Sequence, residues 1–465
     1  MTTIRNCGRE RIAELEAQFP AVPRPIVIKS DVLREGVQGN ALLGQIGPLS
    51  FPHFLLWNSD HPWNPVVKGT DSGGIRAIPW NFILEDGHTP VVCRIDPASP
   101  YEIRLSETGS FVLHRDGEPI EPVRFERGAR WLFDTTTDGT MMGSVFLSWT
   151  REALLGCALR YCEYTKSGDQ CRYCCLDAEA ARFHESGFKM DMAVKPADAA
   201  EAYRAAEAET GGIRQVAFTG GSLLNTKKEM ERYIALYAAL RDARDEMHAH
   251  TQFYACVTAP PDRGILNRLH EAGLTHIAPN MDCWEEHLWP VIVPGKHKFV
   301  GRQYWIDSLL MCLEVYGVGM VGSAFVVGPE MVQPYGFASL EEGVASWARC
   351  FEWCTSHQII PMLIPWQKEV GSPWEHKQPP PTEYTLAVFQ ERHRRMQDSG
   401  LYGLMEHNYF MSQAWDTNAD FRRLAYGCTC PNCTPPAYTA RHYVDPDEVR
   451  SAATSGRAPT QAPAH

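Results

Sequence analysis

Three cysteines stand where the sequence could carry out chemistry: Cys162, Cys171 and Cys174, spaced C-x8-C-x2-C in a polar stretch with Lys166, Gly168 and Asp169. Three thiolates from one flexible loop can hold three irons of a [4Fe-4S] cubane and leave the fourth iron open to a further ligand. The close pair supplies two neighbouring corners and the longer arm supplies the third. The same thiols could instead surround zinc, with Cys157 or Cys175 as fourth tetrahedral ligand, because paired thiolates suit both metals. A second group, Cys428, Cys430 and Cys433, follows Tyr426-Gly427. It could hold a second iron–sulfur cluster, or zinc with His407 or His442. A Pro-rich polar loop is a poor place to bury thiols, which favours a metal there over inert cysteines. Cys350 and Cys354, four apart on an amphipathic segment, read as core packing.

Fifteen cysteines in one chain would form a disulfide framework only in an oxidising compartment. The first twenty residues have no apolar run of signal-peptide length, and the apolar stretch 306–328 is broken by Asp307 and Glu314. The expected location is therefore the cytoplasm, with no membrane contact, where clustered cysteines are more often metal ligands. A net charge of −12 argues against generic binding to nucleic acid or anionic lipid.

The elements that must position these residues follow from periodicity. Residues 1–143 are rich in Pro, Gly, Trp and Asp, with short alternating runs such as Tyr101–Leu105 and Ser110–Leu113, and read as a mainly β N-terminal region. Its polar aromatic stretch, Trp57 to Asn64, could line a pocket or form a surface loop. From 144 to 375, strand-like runs alternate with helical ones. The expected strands are Ser144–Ser148, Gln215–Phe218, Thr251–Thr258, Thr275–Pro279, Met320–Val327 and Ile359–Ile364. Strand–helix alternation with crossover-length helices predicts a parallel sheet, and six strands fit a partial (β/α)6 TIM-like barrel with its site at the C-terminal strand ends. Residues 376–448 form a Cys-containing C-terminal extension with one amphipathic helix, Thr382–Gln397. The tail 449–465 is low in complexity and expected to be disordered.

Over 144–375 the chain resembles the radical S-adenosylmethionine superfamily, in particular its biotin-synthase-like branch. The resemblance rests on the order of several motifs. Tyr173 precedes the last loop cysteine, and Thr219-Gly220-Gly221-Ser222 closes the second strand like the family's glycine-rich element, which meets the cofactor's amino group. Tyr254-Ala255-Cys256-Val257-Thr258 leads through Leu269-His270-Glu271-Ala272-Gly273 to Pro279-Asn280-Met281-Asp282. The resemblance implies that Asn280 and Asp282 hold the ribose hydroxyls of S-adenosyl-L-methionine, that Arg302 meets its carboxylate, and that the strand with Phe325 packs its adenine. It further implies that Cys162, Cys171 and Cys174 hold a [4Fe-4S] cluster fed by a one-electron donor such as flavodoxin or ferredoxin. The cluster's electron would cleave the sulfonium to a 5′-deoxyadenosyl radical, which takes hydrogen from a small-molecule substrate.

Two departures set the chain apart. The superfamily's usual first gap is x3 and here it is x8. Cys256 falls where biotin synthase ligates a two-iron cluster, but the matching later position is Val321, which cannot ligate. The expected activity is therefore a radical reaction in natural-product or cofactor biosynthesis, with sulfur insertion or radical oxidation if a second cluster is present. An epimerase, lyase or rearrangement needs no such cluster. From another class, a zinc-stabilised, non-catalytic binding protein remains open.

Overall fold

The computed structural model describes residues 8–50, 78–150, 153–185, 191–405, 414–429 and 442–455. The chain is mixed α/β, and its central feature is a set of parallel strands joined by helices. Strand β1 spans Ala153–Leu159, and every residue of it is buried, as expected of a strand covered on both faces. Next come β2 (Gln215–Gly220), β3 (Gln252–Val257) and β4 (His276–Pro279), which with β1 form a parallel sheet in sequence order. A further strand, Phe146–Thr150, lies antiparallel along the outer side of β1. Strands β5 (Gly322–Val327) and β6 (Ile360–Pro365) form a second parallel pair. Two isolated bridges, Ile277 with Val321 and Asp282 with Phe325, link β5 to the end of the first sheet.

The first parallel strand is thus not the expected Ser144–Ser148. That run overlaps the antiparallel edge strand, and the continuous apolar run at 153–159 takes the central place. A run without alternation carries little strand signature, which is why it escaped the periodicity reading.

The crossover helices start and stop where local chemistry dictates. Helix α1 (Pro196–Thr210) has Pro at its first position and ends at Gly211 in the left-handed conformation. Asn225 caps α2 (Thr226–Glu246) by accepting from the Lys228 amide, and Asp262 caps α3 (Arg263–Glu271) by accepting from Ile265. Helix α4 spans Arg302–Tyr316. Ser339 and Glu342 form a reciprocal capping box on α5 (Leu340–Ser356). Helix α6 covers Thr382–Asp398, in agreement with the expected amphipathic segment.

One face of the strands packs under these helices in the largest apolar cluster. The opposite faces meet one another: Leu155, Ala217, Tyr254, Ala278, Ala324 and Ile360, one from each of β1 to β6, belong to a single buried cluster. Met396, Leu401, Tyr402 and Met405 close that cluster below. Among the described residues, β6 and β1 do not pair, so the sheet is not closed.

The N-terminal region differs from expectation. It begins with three helices, Gly8–Gln18, Arg24–Glu35 and Ala41–Ile46, before the antiparallel strands Tyr101–Leu105, Phe111–Arg115 and Glu118–Val123. In the first helix Ile12 and Leu15 are buried, three apart on one face. Buried polar pairs join this region to the remainder: Lys29 with Asp420, and Asp31 with the Thr382 hydroxyl. The first part of the expected disordered tail is ordered instead, because Pro446–Ser455 is helical and Val449 is fully buried, while 456–465 lie outside the described residues. Among the described residues, no helix is long and apolar enough to cross a membrane.

Candidate functional site

A cavity of about 310 Å³ opens at the C-terminal ends of the parallel strands. Cys162, Cys171 and Cys174 all line it, together with Tyr173, the run Thr219 to Ser222, Asn280 and Asp282. Residues separated by 120 positions therefore share one chamber.

The eight-residue arm between Cys162 and Cys171 is folded rather than flexible. It forms a helical turn, Glu163–Lys166, whose Tyr164 is buried and stacks on Phe299 at 5.5 Å. Gly295 lies against that tyrosine so closely that a Cβ would sit 2.5 Å from the ring. The loop is further held by Arg172, whose amide donates to the Ile292 carbonyl (2.9 Å) and whose Nε donates to that of Val291 (3.1 Å).

Burial pushes the Cys171 thiol up to about 12, with the Cys162 charge adding to it and nearby Lys296 opposing it. Burial also raises Cys162 and Cys174, and the loop thiols raise Cys174 further. Among the described residues, no three His, Cys, Asp or Glu side chains are grouped closely enough to hold a single ion. A tetrahedral zinc would draw its thiolates to roughly 4 Å of one another. The fourth thiols considered for zinc are committed elsewhere: Cys157 donates to the Leu159 carbonyl, and Cys175 faces Glu369 at 3.9 Å.

The glycine-rich strand end has a steric reason of its own. A Cβ on Gly221 would lie 1.9 Å from the Tyr161 carbonyl oxygen and 2.9 Å from the Cys162 Cα. Only glycine lets the end of β2 approach the cysteine loop, where the Ser222 amide points at Cys162 Sγ (3.5 Å). Gly221→Ala is expected to lose about 1–3 kcal/mol of stability by overpacking. Urea unfolding against Gly212→Ala, where a Cβ meets nothing, checks it; equal midpoints would remove this role.

Asn280 and Asp282 reach the cavity, yet both are already engaged. Asn280 Oδ1 accepts from the Ala324 amide (3.0 Å), which fixes β4 against β5. Asp282 adopts φ 63°, a left-handed conformation unusual for a residue with a Cβ. Its carboxylate pairs with Lys296 and accepts from the Tyr173 hydroxyl. Lys296 also donates to the Asn280 carbonyl (2.6 Å). The sequence reading missed Lys296, because nothing local distinguishes a lysine whose partner lies fourteen residues away.

Arg302 and Phe325 are not brought to the cavity. Arg302 Nε donates to the Trp284 carbonyl (3.1 Å), and its guanidinium lies over the Trp284 ring at 4.8 Å. On β5, Ala324 and Val326 face the cavity, so alternation turns Phe325 the other way, onto Trp347. Cys256 does line the chamber, and its thiol donates to the Tyr254 hydroxyl at 3.0 Å.

Glu229 is a buried carboxyl that the sequence did not mark, since an acid in the first turn of a helix is commonplace. Burial pushes it up to about 7. It accepts from the Leu223 and Thr258 amides and the Thr258 hydroxyl, tying together the loops that follow β2 and β3.

Of the second cysteine group, Cys428 is partly buried, with its amide donating to the Arg422 carbonyl (3.1 Å). Cys430, Cys433, His407 and the Trp57–Asn64 stretch lie outside the described residues. Compared with known proteins, the chain matches no family model and no curated protein.

Proposed function

We propose that the chain is a radical S-adenosylmethionine enzyme built on a partial (β/α)6 barrel and acting on a small molecule. The observation that carries this reading is the convergence of Cys162, Cys171, Cys174 and Tyr173 with Gly221, Asn280 and Asp282 on one cavity at the C-terminal strand ends. A four-stranded parallel sheet followed by a second parallel pair, with one inner-face residue from each of the six strands in a common cluster, supports the barrel.

A [4Fe-4S] cluster on the three cysteines would supply the electron that splits S-adenosylmethionine into methionine and a 5′-deoxyadenosyl radical. The chain's own residues do the positioning. The clamped loop presents the thiols at fixed places, and the Ser222 amide donates toward Cys162. Tyr173 and Lys296 hold the Asp282 carboxylate so that it can accept from hydroxyls of the nucleoside. Apolar walls from Ala324, Val326 and Ile364 exclude water and competing hydrogen donors. With Arg302 engaged on Trp284, Lys296 is the sole cation among the described residues that line the chamber, and its ammonium, already paired with Asp282, would also meet the methionyl carboxylate. A flavodoxin or ferredoxin in a reducing cytoplasm would deliver the electron.

Reconstitution with iron and sulfide under anaerobic conditions, followed by dithionite and S-adenosylmethionine, is expected to give 5′-deoxyadenosine. Iron-loaded protein that makes none, with or without candidate substrates, would overturn the reading. Lys296→Met is expected to weaken S-adenosylmethionine binding about tenfold with iron content retained. Equilibrium dialysis with labelled cofactor measures this, and unchanged affinity would remove Lys296 from the site.

A further inference from the structure

The wall of the cavity carried by β3, β6 and the segment 414–418 has a chemistry unlike that of the cysteine loop. Asn418 fixes this segment to the sheet. Its carboxamide accepts from the Leu363 amide (3.0 Å) and donates to the Leu363 carbonyl (2.8 Å), pairing with the edge strand β6 as a neighbouring strand would. Two residues earlier, Asp416 lines the cavity at 4% exposure. One of its oxygens accepts from the Asn418 amide at 2.8 Å. Trp415, Trp366, Tyr254 and Met362 line the same cavity.

Lys29 and Arg392 act on Asp416 electrostatically, and neither lines the cavity. Lys29 pairs with Asp420 at 2.7 Å, and Arg392 donates to the Pro361 carbonyl at 2.6 Å. Among the described residues that line the cavity, Lys296 is the sole cation, and it is paired with Asp282. Burial dominates the carboxyl of Asp416 and pushes it up to about 7 in spite of Lys29. A buried acid so placed gains most from an incoming positive charge. Aromatic rings in the same cavity favour the same ligand, since their π clouds attract cations.

We infer that Asp416 is a specificity-determining residue that receives an organic ammonium group, so that the substrate is an amine with an apolar or aromatic skeleton held between Trp366, Trp415 and Tyr254. This deepens the function proposed above and rests on the same cavity being the reaction chamber. A neutral or anionic substrate would bring no positive charge to the cavity side of the carboxyl.

Three probes of one shape and different charge test the assignment: 2-phenylethylamine, 2-phenylethanol and phenylacetate, titrated calorimetrically into the full-length protein at neutral pH. The amine is expected to bind at least about tenfold more tightly than the other two. Asp416→Asn, checked for folding by its thermal transition, is expected to erase that preference while alcohol binding stays the same. Equal affinity for the three probes, or no binding of any, overturns the inference with the unaltered protein alone. A charge preference that persists in folded Asp416→Asn overturns it too. No step of this readout requires S-adenosylmethionine cleavage, so a failure here and a failure of the radical reading are separately visible.

Discussion

Replacing Cys162, Cys171 and Cys174 together with Ala is expected to abolish 5′-deoxyadenosine formation and to remove about four irons per chain. The expectation follows from the three thiols sharing one chamber on a loop clamped at both ends. Cys157→Ala and Cys175→Ala provide the contrast. Both side chains are buried but bonded to protein groups, so each variant should keep its iron and its product, with a stability loss as the main effect. Iron analysis also separates the two roles considered for the C-terminal group. About eight irons in the unaltered protein, falling to about four in a Cys428, Cys430 and Cys433 triple variant, would establish a second cubane there. Iron retained by the 162–174 triple variant in undiminished amount would sink the assignment of the first site.

The second large effect is expected far from the thiols. Lys29 and Asp420 form an ion pair at 2.7 Å with side chains 0% and 1% exposed. Lys29→Met leaves the buried Asp420 carboxylate with the more distant Arg423, at 3.5 Å. Breaking a buried pair from one side costs about 3–5 kcal/mol, because desolvation of the remaining charge is no longer offset. Replacing both partners with apolar residues of similar volume should recover most of that loss. Urea unfolding of the single and double variants measures it, and a loss below about 1 kcal/mol in Lys29→Met would contradict the account. The pair matters to the cavity because Asp420 follows Trp415, Asp416 and Asn418 by a few residues. Loosening the pair is therefore expected to weaken amine binding as well.

Several features were legible in the sequence because their cause is local. The helix Thr382–Asp398 matches the expected Thr382–Gln397, because the spacing of its apolar residues is a local pattern. Five of the six parallel strands lie within a few residues of their expected places, since alternation between strand and helix periods is written in the order of apolar residues. The grouping of Cys162, Cys171 and Cys174 with Asn280 and Asp282 also followed from motif order, because parallel strands with crossover helices bring successive strand ends to one side.

Tertiary structure decided the remainder. Whether an arginine points into a chamber or folds back over an indole depends on packing, and Arg302 is drawn to Trp284. Phe325 faces away because a strand's parity is set by its partners, and one residue of register exchanges its two faces. Lys296, Glu229 and Asp416 owe their character to burial and to partners distant in the chain, which no local pattern encodes. The three cysteines themselves were evident from spacing alone. Their gathering around one chamber came from the clamps at Arg172, Gly221 and Gly295, where backbone and ring approach too closely for any other residue at the two glycine positions.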